Sequence, residues 1–186
     1  MRTRLRLLLA LVGATSCMGD RHIVNGYGST MGIGGASRDS AHTGVDFRGS
    51  KGDVVIAASD GVVIAQVDAP HGVGTCVLVE HHCARCELSV LFTSYCHLSA
   101  SLVTAGQVLA RGQALGMIGS TGIFSGGIDH LHFSVCRFPC VAAARDGDFT
   151  GTIDPSIYDV GCFDPSRRYV SDTAPVLTHP ISCVGR

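Results

Sequence analysis

Three short motifs concentrate the chemistry of this chain: His42-Thr-Gly-Val-Asp46, Tyr95-Cys-His97-Leu-Ser99 and His130-Leu-His132-Phe133. In the third, two imidazoles stand two residues apart. On a β-strand that spacing sends both to one face, so a single pocket can receive His130 and His132. In the first, Gly44 argues against a helix, and a turn entering a strand would place His42 and Asp46. Two imidazoles and one carboxylate form a ligand set that Zn2+ accepts. Three protein ligands leave the fourth position open, the arrangement of a hydrolytic rather than a structural site. No His-Glu-x-x-His motif supplies a carboxylate base, so imidazoles, which titrate near neutral pH, are the natural proton carriers.

The remaining candidates read more plainly. His81 and His82 fall at a strand end and are expected to be structural, while His22, His71 and His179 are expected to be solvated. Asp129 adjoins the pocket, either as a hydrogen-bond partner of a ligand or as a loop carboxylate. Asp53, Asp60 and Asp68 read as turn or surface residues.

The elements that must position these motifs are short strands. Val45–Phe47, Asp53–Ala58 and Gly61–Val67 are β-type runs, with a turn signal at Ser59-Asp60-Gly61. Thr75–His81 and Leu88–Tyr95 predict a hairpin turning around Cys83 to Cys86. Between Val103 and Gly119, glycines at the corners bound two more short strands. Residues 120–127 read as a loop and 130–137 as a strand. Residues 18–41 read as an irregular lead-in and 138–186 as a less regular extension. With 24 glycines and no long amphipathic helix, the chain predicts a mainly β, compact antiparallel-sheet domain with long Gly-rich loops.

Composition narrows the function classes. The 186 residues suffice for one domain with a core, and a hydrophobic share of 46% against 16% charged excludes a disordered chain. The formal net charge of −1 excludes a strongly basic nucleic-acid binder. Arg2, Arg4 and Arg6 followed by the apolar run Leu7–Ala14 predict an export signal over 1–16. Small residues leading to Cys17 are similar to a bacterial lipobox, which would make Cys17 an acylated mature N-terminus anchoring an exported, periplasmic or cell-envelope protein to a membrane. Cleavage without lipid is the alternative. Nine cysteines become eight if Cys17 carries lipid, an even number suited to an oxidising compartment. The expected pairs are Cys83–Cys86, Cys136–Cys140, Cys162–Cys183 and Cys76–Cys96. A structural zinc on Cys83, Cys86, Cys136 and Cys140 is the competing reading.

From His42 to Tyr158 the chain resembles the lysostaphin-type (LytM-like) zinc endopeptidases of bacterial cell walls. The carriers are HTGVDF at 42–47, AASDGVV at 57–63, YCHLS at 95–99, GQALGMIGSTG at 112–122 and HLHF at 130–133, with IDPSIYDV at 153–160 similar to the segment that follows the last core strand. The resemblance implies the lysostaphin-type fold over 42–160, zinc on His42, Asp46 and His132, and a catalytic pair His97 and His130. It implies peptidoglycan peptides as substrate and a monomer. Two other readings stand beside it: a non-catalytic zinc-binding module that acts on a cell-wall partner, and an exported protease for Gly-rich proteins. The chain departs from the family pattern in having no evident Gly-x-Arg within Gly26 to Gly35, Ser134 where Glu is common, and an unmatched tail from Cys162.

Overall fold

The computed structural model describes residues 22–140 and 150–183; the expected leader and Cys17 lie outside them. The chain is mainly β. Eight strands form one antiparallel sheet: β1 (Ile23–Asn25), β2 (Val45–Arg48), β10 (His130–Cys136), β6 (Val90–Leu98), β5 (Gly74–His82), β4 (Gly61–Ala69) and β8 (Val108–Leu109) in that order, with β11 (Thr152–Ile153) also paired to β10. A smaller sheet orders β3 (Val54–Ile56), β9 (Ala114–Met117) and β7 (Ala100–Ser101). The only helical turns among the described residues are two short 3-10 segments, Ile123–Ser125 and Pro155–Ile157.

The expected hairpin forms as β5 and β6, paired from Thr75↔Leu98 to His82↔Val90. Strand β10 lies between β2 and β6 and is buried along all seven residues. Its alternation sorts the side chains into two layers. Leu131, Phe133 and Val135 enter the main core with Val45, Phe47, Val77, Tyr95 and Leu115. His130, His132, Ser134 and Cys136 take the opposite face, where Cys136 joins a second apolar cluster with Leu78, Phe92 and Cys96. Both layers hold the strand, so the histidines stand on a backbone fixed from above and below. Truncating a fully buried core leucine such as Leu131 costs about 2–5 kcal/mol.

Two local readings are corrected. The lead-in is not wholly irregular, because β1 pairs with β2 through Ile23↔Phe47 and Asn25↔Asp46. The tail packs back, placing Leu177 and Ile181 in the main core, and its backbone bonds to Ala58 and Ile56. His179, expected in solvent, is therefore buried, with Nε2 at 2.9 Å from Asp159 Oδ2. All four expected disulfides form, Cys76–Cys96, Cys83–Cys86, Cys136–Cys140 and Cys162–Cys183. That removes the competing zinc on Cys83, Cys86, Cys136 and Cys140, since its four sulfurs are spent in two local bonds.

Candidate metal centre

Sheet register brings the three motifs together. His132 on β10 lies opposite Asp46 of β2 on one side and Cys96 of β6 on the other. His42 precedes β2, tied by its backbone N–H to the Ser29 carbonyl. Gly44 lets this segment lie against β10: a Cβ there would meet the Phe133 carbonyl oxygen at 2.4 Å and Ser134 Oγ at 2.8 Å. The glycine of the first motif therefore answers to packing, not only to turning.

His97 reaches the site by a break in strand alternation. Tyr95 and Leu98 both lie in the main core, while Cys96 faces the other way. Strict alternation would send His97 into that core as well. Instead its backbone takes a left-handed φ of 64°, the sole non-glycine positive φ among the described residues. The turn sets the His97 ring 4.7 Å from that of His130 and 5.9 Å from that of His132. Such a conformation costs about 1–3 kcal/mol in a non-glycine residue. It is held by the N–H of His97 on the Val73 carbonyl and by the register shift of β5 at Thr75/Val77.

Three donor atoms converge. His42 Nε2 lies 3.0 Å from His132 Nδ1 and 3.1 Å from Asp46 Oδ1, and His132 Nδ1 lies 3.0 Å from Asp46 Oδ1. Ligands about 2.0–2.1 Å from a tetrahedral zinc would stand roughly 3.3 Å apart, close to this triangle. The outward atoms show why a cation suits it. His42 Nδ1–H donates to the Gly26 carbonyl at 2.8 Å; a carbonyl only accepts, so Nε2 keeps its lone pair toward the centre. Asp46 turns its second oxygen to Arg38 Nη2 at 3.3 Å, and His132 turns Nε2 to Ser134 Oγ at 2.8 Å. All three residues are buried. Lone pairs converging in a buried site repel unless a proton or a metal ion lies between them.

The other two imidazoles are oriented in the same manner. His97 Nδ1–H donates to the Thr121 carbonyl at 2.9 Å and His130 Nδ1–H to the Ile128 carbonyl at 2.8 Å, which leaves Nε2 of each as the free atom. His130 Nε2 stands 3.6 Å from Asp46 Oδ1. Burial pushes His97 down to about 3, and the neighbouring His132 and His130 push the same way. Burial likewise lowers His132 against the pull of Asp46. Burial alone would raise Asp46, but the hydrogen bonds and charges of His132 and His42 outweigh it and hold the carboxyl well below the usual range.

The five residues singled out from the sequence thus line one cleft of about 660 Å3, together with Gly32, Arg38, Val73, Phe124 and Ile128. Asp129 is not among their partners; its Oδ2 accepts from the Lys51 N–H. His81 is a buried structural residue between the Asp60 carbonyl and the Thr93 hydroxyl. Sequence reading missed Arg38, Gly26 and Thr121 as partners of the site, because their contacts cross turns that no local pattern encodes. Ser134 was findable: two residues after His132 on one strand, it must share that face.

Known proteins resemble this chain in sequence and fold. A family model described as Peptidase family M23 matches residues 40–145. The chain is 36% identical over 98 residues to peptidoglycan DD-endopeptidase ShyA of Vibrio cholerae, covering 53% of this chain and 21% of that protein. It is 33% identical over 101 residues to murein hydrolase activator NlpD of Escherichia coli, covering 54% and 24%. The chain thus spans about a fifth to a quarter of the length of these curated relatives. Among solved structures, a zinc containing peptidase from Vibrio cholerae matches with TM-score 0.51 and 33% identity over 62% of this chain and 33% of the other. Lysostaphin from Staphylococcus simulans matches with TM-score 0.56 and 26% identity over 73% and 48%.

Proposed function

The chain belongs to peptidase family M23, the lysostaphin-type family, and from that premise we propose that it is a zinc-dependent endopeptidase that hydrolyses peptide cross-links or stems of bacterial peptidoglycan. The observation that carries the reading is the triangle of His42 Nε2, Asp46 Oδ1 and His132 Nδ1, with two further imidazoles presenting free Nε2 atoms beside it. We take His42, Asp46 and His132 as the zinc ligands and His97 and His130 as the catalytic pair.

Bound there, Zn2+ would lower the pKa of a water from about 15.7 toward 7 and polarise the scissile carbonyl. The chain's own residues then handle the protons. Hydrolysis adds hydroxide to the carbonyl carbon and a proton to the departing amine. His97, fixed with Nδ1–H on Thr121, offers Nε2 as an acceptor for the proton of the attacking water. His130 offers Nε2 from the neighbouring position. Once protonated, either imidazole can donate to the oxyanion or to the leaving nitrogen. The buried walls hold these donors without reorganisation.

The reading extends to export by a leader over 1–16, a lipid anchor at Cys17 and an endopeptidase domain over 42–160; the four disulfides support passage through an oxidising compartment. The relative named as a murein hydrolase activator supports a second reading, a partner-activating module. Digesting purified sacculi with the protein alone, with chelator, and with a separate wall hydrolase added distinguishes the two. Chelator-sensitive release of cross-link fragments by the protein alone is expected. Release only in the presence of the second hydrolase would replace the enzyme reading by the activator one.

A further inference from the structure

We infer that Ser134 is a positioning residue for the metal centre: its hydroxyl accepts the Nε2–H of His132 and so holds the Nδ1 lone pair toward His42 and Asp46. The inference rests on the zinc reading above. Among the three ligands' outward partners, Gly26 is a backbone carbonyl that no side-chain substitution removes, and Arg38 is a charged group at the cleft wall. Ser134 is the neutral, buried side chain of the set. A carbonyl can only accept, so the tautomers of His42, His97 and His130 follow from geometry alone. His132 differs, because a hydroxyl can accept from Nε2–H or donate to a bare Nε2. In the second arrangement the proton would sit on Nδ1, inside the triangle, where it competes with a metal ion.

Ser134 is held in place beside His132. It lies two residues beyond His132 on the same face of β10, opposite Ser94 of β6. Gly44 passes over it so closely that any side chain there would reach Oγ. A hydroxyl is also what fits: a longer group in its place must share the space that Gly44 leaves. Loss of such an outer partner weakens metal binding by about 10- to 100-fold.

The test is the zinc dissociation constant, by competition with a chromogenic chelator, for the wild type, Ser134→Ala and Ser134→Thr, with thermal unfolding and imidazole 15N spectra of each zinc-loaded protein. The inference expects Ser134→Ala to bind about 10- to 100-fold more weakly, Ser134→Thr to recover most of the affinity, and the wild-type His132 signal to show Nε2–H. Equal affinity in wild type and Ser134→Ala would overturn it. So would an equal loss in both variants alongside equally lowered unfolding temperatures, which would mark a packing effect. A wild type that binds no zinc would instead remove the reading on which the inference stands.

Discussion

Arg38 Nη2 lies 3.3 Å from Asp46 Oδ2, so a guanidinium on the cleft loop holds from behind the carboxylate whose other oxygen faces His42 and His132. The Arg38 side chain is part-exposed, while Asp46 is fully buried. A second donor, Arg38 Nε, reaches the Met31 carbonyl at 3.3 Å and ties the loop to the same contact. This pair joins the cleft wall to the proposed metal ligand.

Arg38→Ala is therefore expected to weaken zinc binding by about 10-fold, the low end for an outer partner because one side of the pair is wet. Lysine is expected to recover only part of the loss, since a single ammonium cannot serve both Met31 and Asp46. Chelator competition measures both. Wild-type affinity in Arg38→Ala would show that the contact does not orient the carboxylate.

Cys96, bonded to Cys76, immediately precedes His97, and the bond spans the irregular stretch that turns His97 out of the core. Replacing both cysteines by alanine is expected to lower turnover by roughly 10- to 100-fold, as for a misplaced catalytic group, while zinc content stays at the wild-type level. The assay must run well below the unfolding temperature, because removing a disulfide also costs about 2–4 kcal/mol of stability. Unchanged turnover would mean that Val73 and Thr121 suffice to place His97.

His81 supplies a pH dependence remote from the metal. Burial pushes its pKa down to about 4, against hydrogen bonding to Asp60 that pulls upward. The unfolded chain binds this proton near pH 6.5 and the folded chain only near pH 4, so the unfolded state holds more protons between the two values. Stability from this group is complete above about pH 6.5 and falls as pH drops toward 4, by up to about 3 kcal/mol. Denaturant midpoints of wild type and His81→Gln at pH 7 and pH 4.5 measure it. The wild type is expected to lose more stability on acidification than the variant. Parallel losses would remove His81 as the cause.

These contacts also show what the sequence made legible. His130 and His132 announce their shared face by a spacing of two, and Asp46 is brought opposite His132 by one register, so three of the five site residues follow from local pattern plus a single strand pairing, while His42, just before β2, is placed by its tie to Ser29. His97 was found by motif alone, since alternation would have buried it in the core and only its left-handed backbone turns it back. Arg38, the β1 pairing and the burial of His179 were not legible. Each depends on a chain segment returning over a long loop, as when Leu177 and Ile181 close over Ala58 and Ile56. Period and composition carry no record of such returns.

The most direct test of the central claim is zinc per chain, by elemental analysis, measured beside cross-link fragment release for His132→Ala and His130→Ala. His132 is assigned to the metal and His130, with His97, to the catalytic pair. The account predicts that His132→Ala loses both zinc and release, whereas His130→Ala keeps about one zinc per chain, as an open three-ligand site should, and loses release. A His130→Ala protein without zinc, or a His132→Ala protein that keeps both zinc and release, would contradict it.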